Sequence, residues 1–417
     1  MKISPAQFEH AVTALVAVLR FDFPADAILS RYFHEQRQIG PADRAFVAEA
    51  VFGILRRKRL LDHVTGNGRP RALLLAWLVR VHGFNTRELE PVLRRGDAEV
   101  VAAIKAVDTH ALSLAQQAEL PDWVVEKLLT GCSETEILDL GKGLSETAPL
   151  DLRVNTLRAK REDVIATLAA DGLTATPTPY SPHGLRLAGR PSINRHALFL
   201  RGAIEVQDEG SQLLCSLLAP TRHELVIDFC AGAGGKTLAL GAIMHNRGRL
   251  YAFDVSIARL KKLQPRLARS GLSNVHPQTL ANENDIRVKR LAGKADRVLV
   301  DAPCSGLGTL RRNPDLKWRQ SPESVNQLTR KQTAILRAAA GMVKSGGRLV
   351  YATCSLLAEE NETIVEAFLA ANPAFSVVDC DSVFAQQQIA LRTGKYLKLT
   401  PHQHGTDGFF GAVLMRG

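Results

Sequence analysis

From about residue 211 onward, short apolar runs alternate with segments of helical periodicity. "HELVIDFC" runs into "AGAGGK"; "RGRLYAFDV", "ADRVLVDAPC" and "GGRLVYATC" follow. The longest helical stretch between them is "SPESVNQLTRKQTAILRAAAGMVKSGG". Alternation of this kind predicts a parallel, doubly wound sheet. In such sheets ligands bind beyond the carboxyl ends of the strands. Asp301, Cys304 and Cys354 all fall at predicted strand ends, on the same rim as the glycine-rich turn "AGAGGK".

The preceding chain has a different texture. Residues 1–135 read as helical: Val47, Val51, Ile54 and Leu55 recur at i, i+4, i+7 and i+8, and Pro41 and Asp43 suit a helix start. "RALLLAWLVRVHG" is a second apolar helix closed by Gly83. "AEVVAAIKAVDTHALSLAQQAEL" contains more, and "DWVVEKLLTGC" is a short helix that Gly131 could cap. Residues 136–210 read as a small α/β module: "DLRVNTLRAKREDVIATLAADG" suggests strand, turn and helix, and "TPTPYSPHGLRLAG" a turn-rich stretch ending in a short strand. The expected division is 1–135, 136–210 and 211–417, with no internal repeat.

Several classes are disfavoured. No window approaches twenty consecutive apolar residues, which argues against a membrane span. The N-terminal stretch has one lysine near its front, and Glu9, His10 and Arg20 interrupt its apolar positions. It does not read as a signal peptide, and the expected location is cytoplasmic. The six cysteines, Cys132, Cys215, Cys230, Cys304, Cys354 and Cys380, include no C-x-x-C pair. His402 and His404 have no ligand spacing, so no metal site is expected. A net charge of +11 favours a polyanionic partner, most commonly nucleic acid.

"VIDFCAGAGGKT" follows a strand and opens a helix. Gly232, Gly234 and Gly235 permit a tight turn and close approach of a ligand to the backbone. Asp254 ends the next strand, twenty residues beyond Gly234, where a doubly wound nucleotide site places an acid on ribose hydroxyls. Turn and acid together point to an adenosine-containing cofactor; a nicotinamide dinucleotide stays open on these residues alone.

Two thiols on that rim suggest nucleophilic chemistry. Carbon-5 of a pyrimidine is a poor nucleophile. A thiolate adding to carbon-6 makes it enolate-like and able to attack an electrophilic methyl group. An acid near N3 stabilises the adduct, and a base then removes the carbon-5 proton so that the thiol can leave. The chain offers a Cys, an Asp and a second Cys, with Lys236 and helix N-termini as sources of positive potential to favour a thiolate.

"DAPCSGLGTLRRNPDLKW" and "YATCSLLAEENE" resemble the two signature motifs of the Nop/Sun family of RNA cytosine-5 methyltransferases. "DFCAGAGGKT" resembles that family's S-adenosylmethionine loop, departing from the commoner C-A-A-P-G-G-K-T at Gly232 and Ala233. "LRVNTLR", "EVQDEGSQL" and "TDGFFGAVLMR" match further motifs, so the resemblance spans roughly 120–417. It implies a Rossmann-like class I methyltransferase sheet that binds S-adenosylmethionine along Cys230, Ala231, Gly232, Ala233, Gly234, Gly235 and Lys236, although Cys230 itself reads as packing. By the same resemblance Asp254 would hold the ribose, Cys354 would be the nucleophile, and Cys304 would assist release as the base or by orienting one. Asp301 would contact cytosine and the cofactor side of the pocket, and Lys236 would help place cofactor and ring. The family's acid near the adenine falls on Asn282 by spacing or on Asp285 by chemistry.

Arg311, Arg312, Lys317, Trp318 and Arg319 form a basic stretch with an aromatic, suited either to contacting RNA or to a solvated loop anchored by Trp318. "RRKR" at 56–59 is a second basic run, either a solvated helix face or a phosphate contact. "ADRAFVAEAVFGILRR" is similar to the NusB-like domain of RsmB-type members, which implies an added RNA-binding surface and ribosomal RNA as partner. The alternatives are tRNA or DNA cytosine as target, the DNA enzymes using the cysteine of their Pro-Cys motif as nucleophile, or a non-catalytic RNA-binding assembly factor. The sequence assigns no oligomeric state.

Overall fold

The structure, a computed structural model, describes residues 3–109 and 111–417; the lysine at position 2 and His110 of the 98–120 stretch lie outside them. The chain divides into two units. One comprises residues 1–147 with 309–322, the other 148–308 with 323–417.

The first unit is helical. Its main helices are Pro5–Val18, Ala25–Glu35, Pro41–Arg56, Lys58–Thr65, Pro70–Arg80 and Asp97–Ala106. Val47, Val51, Ile54 and Leu55 are fully buried, as their spacing predicts. A Cβ at Gly53 would stand 2.5 Å from the Trp77 indole nitrogen, so glycine lets helices 41–56 and 70–80 pack closely. Start signals are satisfied locally. Ser4, Asn85, Ser113 and Ser133 each form a reciprocal capping box with the Gln or Glu three residues on. Gly131 is not a left-handed cap: helix Asp122–Leu128 ends in a right-handed turn at Leu129.

The 309–322 segment belongs to this unit, and it buries two of the basic residues that both readings of "GTLRRNPDLKWRQ" left at the surface. Arg311 and Lys317 are each 3% exposed. The Lys317 ammonium donates to the carbonyls of Glu119 at 2.6 Å and Arg56 at 3.1 Å. Trp318 packs against the helical core, its indole N–H 3.4 Å from the Leu55 carbonyl, and Asp315 accepts the backbone N–H of Ala25. Burial pulls the Lys317 pKa down to about 8, against the opposing pull of the Glu119 carboxylate. In the "RRKR" run Arg57 is exposed, while its three neighbours are partly buried and engaged within the unit. Arg56 donates to the Arg311 carbonyl, Lys58 pairs with Asp62, and Arg59 makes a two-armed pair with Asp122.

The second unit begins with a small antiparallel sheet of β1 (Leu150–Val154), β2 (Ala175–Pro177), β3 (Gly184–Leu187) and β4 (Ile204–Val206), in the order β2-β3-β1-β4. Helix Arg161–Ala170 buries Val164 and Leu168 in the same apolar cluster as these strands. The larger sheet follows: β5 (Leu225–Asp228), β6 (Arg249–Asp254), β7 (Val275–Thr279), β8 (Ala295–Asp301), β9 (Val343–Thr353), β10 (Phe375–Val378), β11 (Leu397–Leu399) and β12 (Phe409–Arg416). Its order is β10-β12-β9-β8-β5-β6-β7, with β11 also on β12. Strands β9-β8-β5-β6-β7 run parallel, and β12 is antiparallel to β9. Val226, Ile227, Val298, Leu299, Val300, Leu349 and Val350 are all fully buried, on both faces, which is why these strands read as unbroken apolar runs. This is the doubly wound, Rossmann-like arrangement the sequence predicts.

The topology fixes the site. Strand order reverses between β5 and β8, the switch point at which such sheets open a crevice. The carboxyl ends there deliver Asp228, Asp254, Asp301 and Thr353, the last just before Cys354. Among the described residues, no helix is long and apolar enough to cross a membrane.

Candidate active site

A cleft of ≈ 980 Å³ opens at these strand ends. It is lined by Cys230, Ala231, Gly232, Ala233, Gly235, Lys236, Asp254, Asp301, Cys304 and Cys354 among others, so most of the residues singled out from the sequence meet in one place. Gly234 stands just behind the wall, as the N-cap of helix Gly235–Ile243.

The loop is held from three sides. Gly232 and Gly234 adopt φ of +56° and +82°, values that favour glycine. A Cβ at Gly234 would sit 2.1 Å from Leu263 Cδ1, whereas at Gly232 it would meet nothing within 4 Å. Asp254 accepts the Gly232 N–H at 2.8 Å and the Ser256 N–H at 2.7 Å, tying β6 to the loop. Arg266, itself paired with Glu205, donates to the Ala233 carbonyl at 2.7 Å. Beneath, Thr237 donates to Asp228 at 2.6 Å; burial pushes that carboxyl's pKa up to about 7.

Lys236 and Asp301 form an ion pair at 2.7 Å. Burial alone would lower the lysine pKa, but the Asp301 carboxylate overrides it and the net shift is upward, so the ammonium stays charged. The Cys304 and Cys354 sulfurs are 3.3 Å apart, and the Cys354 N–H also donates to the Cys304 sulfur at 3.3 Å. The Cys304 pKa is raised well above the ordinary thiol value, first by its hydrogen bond with Cys354 and then by burial. Burial also raises Cys230, which packs on the core while lining the cleft, and it pushes the core residues Cys215 and Cys380 up to about 12.

Asp285 is not brought to the cleft. It caps the short helix Ile286–Arg290, accepting the N–H groups of Ala281 and Arg287 at 2.9 Å each. Asn282 closes its own turn on Asn284 N–H. The acid that lines the cleft in this stretch is Glu283, between the two residues considered from the sequence. Arg259, Lys262 and Lys331 also line it; helical spacing alone gave no signal which lysines and arginines would face inward.

The cleft suits S-adenosylmethionine. Its size is within the range of small-molecule sites, and it combines apolar walls (Phe229, Val255, Leu280, Ile335) with a few converging polar groups. Gly232 leaves open space where any other residue would place a Cβ, and Asp254 sits at the end of β6 beside it. Fold and site together define a Rossmann-like, S-adenosylmethionine-dependent methyltransferase.

Sequence comparison narrows the class. Residues 215–415 match the family described as 16S rRNA methyltransferase RsmB/F, and residues 120–194 the ferredoxin-like domain of the RsmF/B-like methyltransferases. The chain is 33% identical over 434 residues to the probable ribosomal RNA small subunit methyltransferase B of Synechocystis sp., covering 95% of this chain and 96% of that protein. It is 33% identical over 297 residues to ribosomal RNA small subunit methyltransferase B of Proteus mirabilis, covering 70% and 65%. Among solved structures, PH0851 superposes with a TM-score of 0.81 over 100% of both chains at 26% identity. A methyltransferase homologue from Pyrococcus horikoshii gives 0.59 at 27% identity, over 72% of this chain and 100% of that one. The chain belongs to the RsmB/F methyltransferase family and is an S-adenosylmethionine-dependent methyltransferase.

Proposed function

We propose that the protein forms 5-methylcytosine in 16S rRNA through a transient bond between Cys354 and carbon-6 of the ring. The observation that carries this reading is the sulfur pair, 3.3 Å apart at the cleft wall that also holds Asp301 and Lys236. Bound S-adenosylmethionine supplies an electrophilic methyl group. The Cys354 thiolate adds to carbon-6, and the electron pair of the 5,6 double bond moves to carbon-5, which takes the methyl group. Loss of the carbon-5 proton restores the double bond and expels Cys354 as thiolate.

Cys304, with its pKa raised, stays protonated and hydrogen-bonds Cys354, which stabilises the departing sulfur. It is therefore suited to orienting the water that takes the carbon-5 proton rather than to being the base itself. The Lys236 ammonium, kept charged by Asp301, lines the same cleft as Cys354. Asp301 is an acceptor at the cleft, which suits the 4-amino donor of cytosine and not the 4-oxo group of uracil. Asp254 is suited to the ribose hydroxyls, Glu283 to the adenine end, and residues 230–236 to close contact with the cofactor.

The helical residues 1–135 are read as a NusB-like RNA-binding domain, residues 136–210 as an accessory module and 211–417 as the catalytic domain, acting in the cytoplasm. The target base must leave its stack to reach the cleft. Bisulfite sequencing of rRNA from cells lacking the protein tests the product. Loss of one protected cytosine in 16S rRNA is expected, and an unchanged cytosine map refutes the assignment.

A further inference from the structure

Each reactive cysteine is followed by a serine, Ser305 and Ser355, and the chemistry above uses neither. The structure gives both serines one partner. Glu360 is fully buried. Its Oε1 accepts the Ser305 backbone N–H at 2.8 Å and the Gln332 side-chain amide at 2.9 Å. Its Oε2 accepts the Ser355 hydroxyl in a short hydrogen bond, and the two serine hydroxyls lie 3.2 Å apart. The Gln332 amide also donates to the Pro303 carbonyl at 3.0 Å. Next along the chain, Asn361 accepts the Thr353 hydroxyl and donates to the Ser355 carbonyl at 3.1 Å. Thus the residues on both sides of Cys304 and of Cys354 are tied to one carboxylate or to its immediate neighbours.

We propose that Glu360 is a positioning residue that holds the two sulfurs in register. A buried carboxylate needs donors on every side, and three converge on this one from two separate loops and a helix. The sulfurs sit at the ends of β8 and β9, and their spacing depends on how the turns after those strands are fixed. Glu360 joins those turns, lies outside the residues lining the cleft and touches no reacting atom. A glutamine in its place loses the negative charge that strengthens all three contacts, and its amide N–H₂ forces the Ser355 hydroxyl to reverse and accept. The turns then separate, and the sulfurs lose their alignment.

The kinetic part of this inference rests on the proposed roles of Cys304 and Cys354; the geometric part does not. The test compares full-length wild type with Glu360→Gln. In the geometric arm, the diazene oxidant diamide takes two hydrogens from the thiol pair and is itself reduced to the hydrazine. The rate of Cys304–Cys354 disulfide formation is then read by peptide mass. In the kinetic arm, kcat for RNA methylation is set against the S-adenosylmethionine Kd from calorimetry. Glu360→Gln is expected to slow cross-linking about tenfold and kcat about 100-fold, the scale of an ångström-level misplacement, with Kd changed by less than about twofold. A Kd that weakens in step with kcat marks a merely structural role and overturns the proposal, as do wild-type rates in both arms. If Cys304→Ala accumulates no RNA adduct on Cys354, the cytosine reading fails while the cross-linking arm still decides on Glu360. Should Glu360→Gln not fold, Gln332→Ala removes one donor and leaves the carboxylate; wild-type cross-linking and kcat in that variant overturn the proposal equally.

Discussion

Two glycines of the cofactor loop are expected to respond very differently to the same one-carbon change. At Gly234 the backbone is left-handed, φ +82°, and a Cβ would lie 2.1 Å from Leu263 Cδ1 and 3.0 Å from its Cγ. Ordinary carbon–carbon contact is about 3.5–4.0 Å, so the overlap exceeds an ångström. Leu263 is fully buried and cannot swing into solvent. The left-handed backbone costs a non-glycine residue roughly 1–2 kcal/mol. Overpacking adds about 1–3 kcal/mol, so Gly234→Ala is expected to lose about 2–5 kcal/mol. At Gly232, φ is +56° and a Cβ meets nothing within 4 Å, so only the backbone cost of about 1–2 kcal/mol applies. Urea unfolding of the two variants, with calorimetric titration of S-adenosylmethionine, measures both effects. Gly234→Ala should be the less stable by more than about 1 kcal/mol. Gly232→Ala should fold well yet bind cofactor more weakly, because its methyl group enters the cleft. Equal stabilities would refute the packing argument.

Two further predictions concern buried charge. Asp228 has its pKa raised by burial to about 7 from an ordinary 3.8, so between these values the folded protein holds a proton that the unfolded chain has lost. Stability should therefore fall as pH rises through that window, and Asp228→Asn should flatten the slope in urea midpoints measured from pH 4 to 8; an unchanged slope contradicts the assignment. Lys317→Ala removes the ammonium that satisfies the Glu119 and Arg56 carbonyls, and should destabilise the helical unit by roughly 3 kcal/mol in denaturant melts. A loss below about 0.5 kcal/mol would mean that the lysine is a solvated surface charge after all.

The parts of the site legible in the sequence were those where local pattern sets position. Cys304 and Cys354 end apolar strands, Gly232 and Gly234 sit in a turn between strand and helix, and Asp254 closes the next strand; alternation alone places all of them on one rim. Residues whose role depends on direction within a loop were not legible. Asp285 and Glu283 are two positions apart, and which faces the cleft is decided by Asp285 capping the helix that follows it. Lys317 and Trp318 have the composition of an RNA-contact loop, yet the chain leaves the sheet unit after Gly308 and buries them among the helices. Glu360 stands in the "AEENE" of the second cysteine motif, but its partners Ser305 and Gln332 lie 55 and 28 residues away, beyond any local pattern.

The covalent state of Cys354 is the most direct test of the mechanism. Wild type, Cys304→Ala and Cys354→Ala are incubated with 16S rRNA and S-adenosylmethionine, and RNA–protein adducts are resolved on denaturing gels and mapped by peptide mass. The account predicts that Cys304→Ala accumulates an adduct on Cys354 and that Cys354→Ala forms none. An adduct mapped to Cys304, or one that persists in Cys354→Ala, would contradict it.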